Sequence, residues 1–118
     1  MNPIQRIARA ALAGEALAVR SLLQDWLASS PQLSNLPGPV DADATEASLT
    51  AALVELLASR LGQSPPEWTT SIGPAPQPTH LLHSAITMRR LRKSCEAESP
   101  LPLRQRLFYA PANYLEMV

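Results

Sequence analysis

Between Asp43 and Gly62 the chain reads D-A-T-E-A-S-L-T-A-A-L-V-E-L-L-A-S-R-L-G, and no other stretch limits the possible folds so tightly. Asp43 followed by Glu46 has the layout of a capping box, with Asp in the usual Ser/Thr place. The Asp carboxylate accepts an orphan amide of the first turn, and Glu46 can reach back to the cap. Leu49, Leu53, Val54, Leu56, Leu57 and Leu61 then recur at three- and four-residue steps, a broad apolar stripe on a helix. Gly62 supplies the left-handed residue on which helices end, and Pro65-Pro66 bars resumption. Such a stripe has to be covered, so the segments on either side are expected to pack around this helix.

What covers it must also be helical. Apolar residues make up 46% of the chain, but the aromatic ones are only Trp26, Trp68, Phe108, Tyr109 and Tyr114, so the core must be built mostly of Leu and Ala. Val and Ile are few, and no long stretch alternates apolar with polar, so strand signals are nearly absent. Twelve prolines against four glycines predict stiff, extended connections. The expected fold is all-α: residues 1–118 as one small irregular bundle of four or five helices with proline-rich crossings.

The elements follow in order. Asn2-Pro3 starts a helix, with Asn as cap and Pro at the first helical position. Ile4, Ile7, Ala8, Ala11 and Leu12 form its apolar face, with Arg6 and Arg9 outside it. Gly14 either ends that helix or lies within a longer one; a single helix broken or bent there is the preferred reading. The pattern resumes with Leu17, Val19, Leu22, Leu23, Trp26 and Leu27 and stops at Ser29-Ser30-Pro31. Residues 31–42 are a proline-rich connection that Leu33, Leu36 and Val40 could tack to the core. Residues 63–78 are a second, irregular crossing with Trp68 as its anchor. Thr79 is placed to cap a helix over 79–96, with Leu81, Leu82, Ala85, Ile86, Met88 and Leu91 on its apolar side. Arg89, Arg90, Arg92 and Lys93 then fall near its C-terminus, where cations complement the macrodipole. Ser99-Pro100 opens a short helix through Leu107, and 99–118 is a docking segment ending in F-Y-A-P-A-N-Y-L-E-M-V.

The net charge is zero, which gives no global attraction to nucleic acid or to an anionic membrane. Its distribution is uneven. Residues 1–78 carry four arginines against seven acids; residues 79–118 carry six bases against three. Two arrangements account for this: a basic C-terminal part packed on an acidic N-terminal part, or a basic surface offered to a partner. The lone Cys95 cannot form an internal disulfide, and no apolar run approaches the ~20 residues that span a bilayer. The N-terminus is basic and Ala-rich like a targeting helix, but Glu15 and Arg20 interrupt any secretory apolar region. A cytoplasmic protein is expected.

Candidate chemistry is sparse. His80 and His83 with Cys95 are too few and too widely spaced for a closed zinc site. No nucleophile with base and orienter is visible, nor a phosphate-gripping glycine loop, and Glu46 and Glu55 are expected apart on the solvent side. The chain is therefore read as a non-enzyme that needs no cofactor. The run from Arg89 to Lys93 is the nucleic-acid candidate, since Arg89, Arg92 and Lys93 share a helix face that could lie along phosphates.

The tail from Arg104 to Leu115, R-Q-R-L-F-Y-A-P-A-N-Y-L, resembles the ending R-x-R-x-L/I-F-V-x-x-N-F/A-L of a group of small uncharacterised helical bacterial proteins. Arg104, Arg106, Leu107, Phe108, Pro111, Asn113 and Leu115 carry the likeness, with Tyr109 in place of an aliphatic residue. Many of that group are encoded beside nucleotidyltransferase-like proteins, in an arrangement resembling toxin–antitoxin pairs. The resemblance implies a protein–protein interaction module, antitoxin-like, with a nucleotidyltransferase-like partner. Arg104, Arg106, Tyr109 and Tyr114 are then the candidate partner-binding residues, because Arg and aromatic side chains dominate interface anchors. Phe108 and Leu115 are expected to turn inward as a hook, with Arg104 and Arg106 reachable from solvent. The alternative is a nucleic-acid-binding regulator that uses helix 79–96.

Overall fold

The computed structural model of the chain describes residues 2–29 and 32–116, and for His83 and Ser84 the backbone alone. Its described part is mostly helical, with α1 (Pro3–Leu12), α2 (Ala16–Ala28), α3 (Ala44–Leu61), α4 (Arg89–Glu98) and α5 (Leu101–Gln105). Two short strands, β1 (Thr79–His80) and β2 (Phe108–Tyr109), pair in parallel.

The central helix is α3. From Ser48 to Ala58 every residue but Glu55 is buried, so this helix is covered on all sides instead of along one stripe. Asp43 Oδ1 accepts from the Glu46 amide at 2.8 Å, the expected cap. The reciprocal half of the box is missing, because the Glu46 carboxylate turns to Gln5 and Arg9. At the other end Gly62 is left-handed (φ 67°), and the Gln63 amide returns to Ala58 O at 2.9 Å. That is the six-to-one bond of a Schellman ending. Leu61, counted in the stripe from sequence, is 41% exposed beyond the last covered turn.

α1 and α2 are separate helices. Gly14 adopts φ 75°, a left-handed conformation that costs glycine little and redirects the chain between them. Ile4, Ile7, Ala8, Ala11, Val19, Leu23 and Trp26 join the core, whereas Leu17 is left 84% exposed. Among the expected end residues of α2, Ser29 is the cap, and Ser30 and Pro31 lie outside the described residues. Asn2 caps α1 by accepting from the Ile4 amide at 2.8 Å.

One face of α1 is polar and buried, which the apolar pattern did not announce. Asn2 donates to Pro37 O at 2.8 Å. Gln5, fully buried, bonds both the amide and the carbonyl of Val40 through its side-chain amide and also donates to Glu46. These side chains fasten the 31–42 crossing by its backbone, so the Val40 side chain itself remains exposed. Leu33 is fully buried there, and Trp68 donates its indole N–H to Leu36 O at 2.9 Å. Trp68 is the anchor of the second crossing, as expected.

The main departure lies between 79 and 88. A helix over 79–96 is not formed; α4 starts ten residues later, at Arg89, after β1 and a 3-10 turn over His83–Ile86. The tail competes for this segment. Thr79 and Leu81 donate to Leu107 O and Tyr109 O at 2.9 Å each, and Ala75 donates to Arg106 O at 3.1 Å. Pro74, Pro76 and Pro78 fall between or before these donors and at none of them, so the crossing gives up no amide that this pairing uses.

Candidate interaction surface

The later start of α4 reverses its electrostatics. Arg89, Arg90, Arg92 and Lys93 occupy the first turns, where the positive end of the macrodipole opposes them. All four are exposed. Arg92 pairs with Glu96 at 3.2 Å, but among the described residues Arg89, Arg90 and Lys93 enter no ion pair. The Arg92 bond, reinforced by His80, holds the Glu96 carboxyl below its ordinary range. Leu91 and Cys95 face inward, with Cys95 fully buried and its thiol pushed up by burial, then by Glu96 and Glu98. Just before the helix, Ile86 and Met88 stand 60% and 56% exposed.

Two tail residues come to this same helix. Arg104 is exposed and donates to Ala97 O at 2.9 Å, at the far end of α4. Tyr109 is half-buried, its ring 5.3 Å from that of His80, and His80 Nε2 lies 3.2 Å from Glu96. His80 Nδ1 is buried without a hydrogen-bond partner among the described residues. Arg104 therefore contacts the C-terminal end of α4, opposite the cations of its first turns, and Tyr109 is linked to α4 through His80.

Arg106 does not join them. It is a correction to the sequence reading: the residue is 7% exposed, and its guanidinium is spent inside the protein. Nη1 pairs with Glu55, Nη2 donates to Thr69 O at 2.9 Å, and Nε donates to Ile72 O at 3.3 Å. A guanidinium carries donors enough to gather several oxygens from one buried position. This pair is also the one ion pair among the described residues that links the acidic first part of the chain to the basic second part.

Tyr114 is likewise turned to the core. Burial pushes its phenol up to about 12. Arg60 clamps the tail there, donating to the carbonyls of Tyr114 and Ala112, and loss of solvent pulls its own guanidinium down. Phe108 is fully buried, and Leu115 packs against the core, so both turn inward as expected. Met117 and Val118 lie outside the described residues. An open groove of about 500 Å³ remains beside the clamp, lined by Leu27, Leu57, Arg60, Leu61, Ala112, Leu115 and Glu116.

The other candidates resolve into structural roles. Glu46, expected on the solvent side, is 9% exposed and pairs with Arg9 at 2.5 Å; that bond raises the Arg9 guanidinium above its ordinary value, against desolvation. Glu55 serves Arg106. No group of three or more His, Cys, Asp or Glu among the described residues is arranged to hold a metal ion, and the His83 side chain lies outside them. Among the described residues no helix is long and apolar enough to cross a membrane. The chain matches no family model, no curated protein and no solved structure.

Sequence reasoning missed Arg60, Gln5, and the exposure of Ile86 and Met88. Gln5 had a signal, since Asn2, Gln5 and Arg9 recur at three- and four-residue steps like the apolar residues beside them.

Proposed function

We propose that this chain is a protein–protein interaction module, antitoxin-like in role, whose partner is a nucleotidyltransferase-like protein. The observation that carries the interaction reading is the state of the cations on α4. Arg89, Arg90 and Lys93 are exposed, unpaired among the described residues and opposed by the dipole of their own helix. Charges that stabilise nothing within the chain are available to another molecule. Arg104, bonded to the end of the same helix, and Tyr109, joined to it through His80, extend the surface, while Arg106 and Tyr114 act by holding the tail in place. The nature of the partner rests on the likeness of the ending from Arg104 to Leu115.

The test is capture of the product of the neighbouring gene by the tagged chain. Wild type is expected to retain it, and Arg89→Glu with Lys93→Glu to lose most of it while staying folded. No capture by wild type would end the partner assignment; undiminished capture by the variant would move the interface elsewhere.

A second reading, a nucleic-acid-binding regulator, is favoured by the shared exposed face of Arg89, Arg92 and Lys93. It requires salt-sensitive binding to a random duplex that disappears in the triple-Ala variant.

A further inference from the structure

We infer that residues 86–93 form a docking site for an acidic protein segment that also carries apolar side chains. This rests on the interaction reading above and names the chemistry of the partner's contact. Ile86 and Met88 are large apolar side chains left 60% and 56% exposed, separated by one residue and followed directly by Arg89. A chain advances at most ~3.5 Å per residue, so both lie within about 11 Å of the Arg89 backbone. The surface thus alternates two kinds of recognition within one short run: apolar contact, then four cations on the first turns of α4.

Charge complementarity selects the partner. Arg89 and Arg90 present planar donor forks that suit carboxylates in bidentate geometry, and neither is held by an acid of its own chain among the described residues. A phosphate backbone would use the cations and leave Ile86 and Met88 wet. Residues 86–93 carry no aromatic side chain on which a base could stack, and Tyr109 is half-buried with its ring against His80. Glu96 and Glu98 end the same helix, which shortens any track for a polyanion to about two turns. A membrane surface would take both features, but stable adsorption draws on far more apolar area than two side chains supply. An acidic segment with interspersed apolar residues satisfies both halves of the site.

The experiment uses the full chain and defined probes in fluorescence anisotropy at physiological salt. The probe is a labelled peptide of Glu and Leu in equal parts. The comparisons are the Gln/Leu peptide, the Glu/Ser peptide, a random DNA duplex and phosphatidylserine vesicles. The Glu/Leu peptide is expected to bind at least about tenfold more tightly than every comparison. Arg89→Glu with Lys93→Glu, and separately Ile86→Ser with Met88→Ser, are each expected to weaken it by about tenfold or more, with melts no lower than those of wild type. Equal binding of the Glu/Ser peptide, preference for the duplex or the vesicles, assembly of the chain with its own acidic part in place of peptide binding, or no peptide binding at all would each overturn the proposal. Its failure is separable from that of the interaction reading. Capture of the neighbouring gene's product that survives Ile86→Ser with Met88→Ser keeps the module and removes this site. Peptide binding without such capture keeps the site and removes the nucleotidyltransferase-like partner.

Discussion

Arg106 and Glu55 are joined by an ion pair that crosses 51 positions of sequence and ties the last short helix to the central one. The arginine is nearly enclosed, and the carboxylate is the one position of the central run 48–58 that is not fully covered. Truncating Arg106 to Ala strands Glu55 and the Ile72 carbonyl and leaves the Thr69 carbonyl with the Ile72 amide at 3.3 Å. The expected loss is at least about 2 kcal/mol, because groups buried without partners bear their desolvation uncompensated. Arg104→Ala, at an exposed site, should shift stability by no more than ~0.5 kcal/mol. Denaturant melts that rank the two the other way would remove Arg106 from the interior.

The first turn of α4 is predicted to be improvable. Arg89→Glu and Arg90→Glu each place an anion where the helix favours one, so each should stabilise by about 0.3–1 kcal/mol at low salt. Loss of stability in both would mean that the helix does not begin at Arg89. A gain in stability accompanied by loss of capture would show that these cations are kept for contact.

Tyr114 reports on the tail. In Tyr109→Phe it is the remaining tyrosine, and near-ultraviolet absorbance should follow its ionisation to a midpoint of about 12. The phenol is raised because burial disfavours the anion, so its contribution to stability is full below the ordinary value of about 10 and is lost as pH rises from there through about 12. Arg60→Met, which releases the clamp on the Tyr114 carbonyl, should bring the midpoint back toward about 10. An unshifted midpoint in Tyr109→Phe itself would detach the tail.

Gln5 and Leu17 make a contrasting pair. Gln5→Ala leaves the Val40 backbone groups and one Glu46 oxygen without their partner and should cost about 1–3 kcal/mol. Leu17→Ala, despite removing a leucine from a helix, should cost ~0.5 kcal/mol or less. Thermal melts of the two variants decide this directly.

The parts of the fold that were legible are those specified locally. Asn2-Pro3, Gly14, Asp43 and Gly62 each mark a helix boundary through chemistry within a few residues, and each lies at one. Ser99-Pro100 also precedes a helix, but that helix ends at Gln105 and not at Leu107, and the Ser99 hydroxyl goes to Cys95 O and Ala110 instead of capping it. Residues 79–88 were illegible for the opposite reason. Leu81, Leu82, Ala85 and Ile86 have helical spacing, but the amides of Thr79 and Leu81 are claimed by carbonyls of Leu107 and Tyr109, which local periodicity cannot report. That one error carried into the surface, since it put the cations at the wrong end of their helix. Arg106 was misplaced because charge alone reads as exposure, and only the fold brings Glu55 and two carbonyls to it. The α4 cluster was visible as composition; its exposed neighbours Ile86 and Met88 were not.

The spacing of Pro74, Pro76 and Pro78 at every second position, none of them a bonding amide, has a consequence for how copies of the chain meet. A foreign strand approaching this run finds no N–H at any of the three positions, so it cannot zip onto the segment as it would onto an ordinary sheet edge. The same residues that stiffen the crossing therefore make it a poor template for cross-β growth, and association is steered toward side chains and away from backbone.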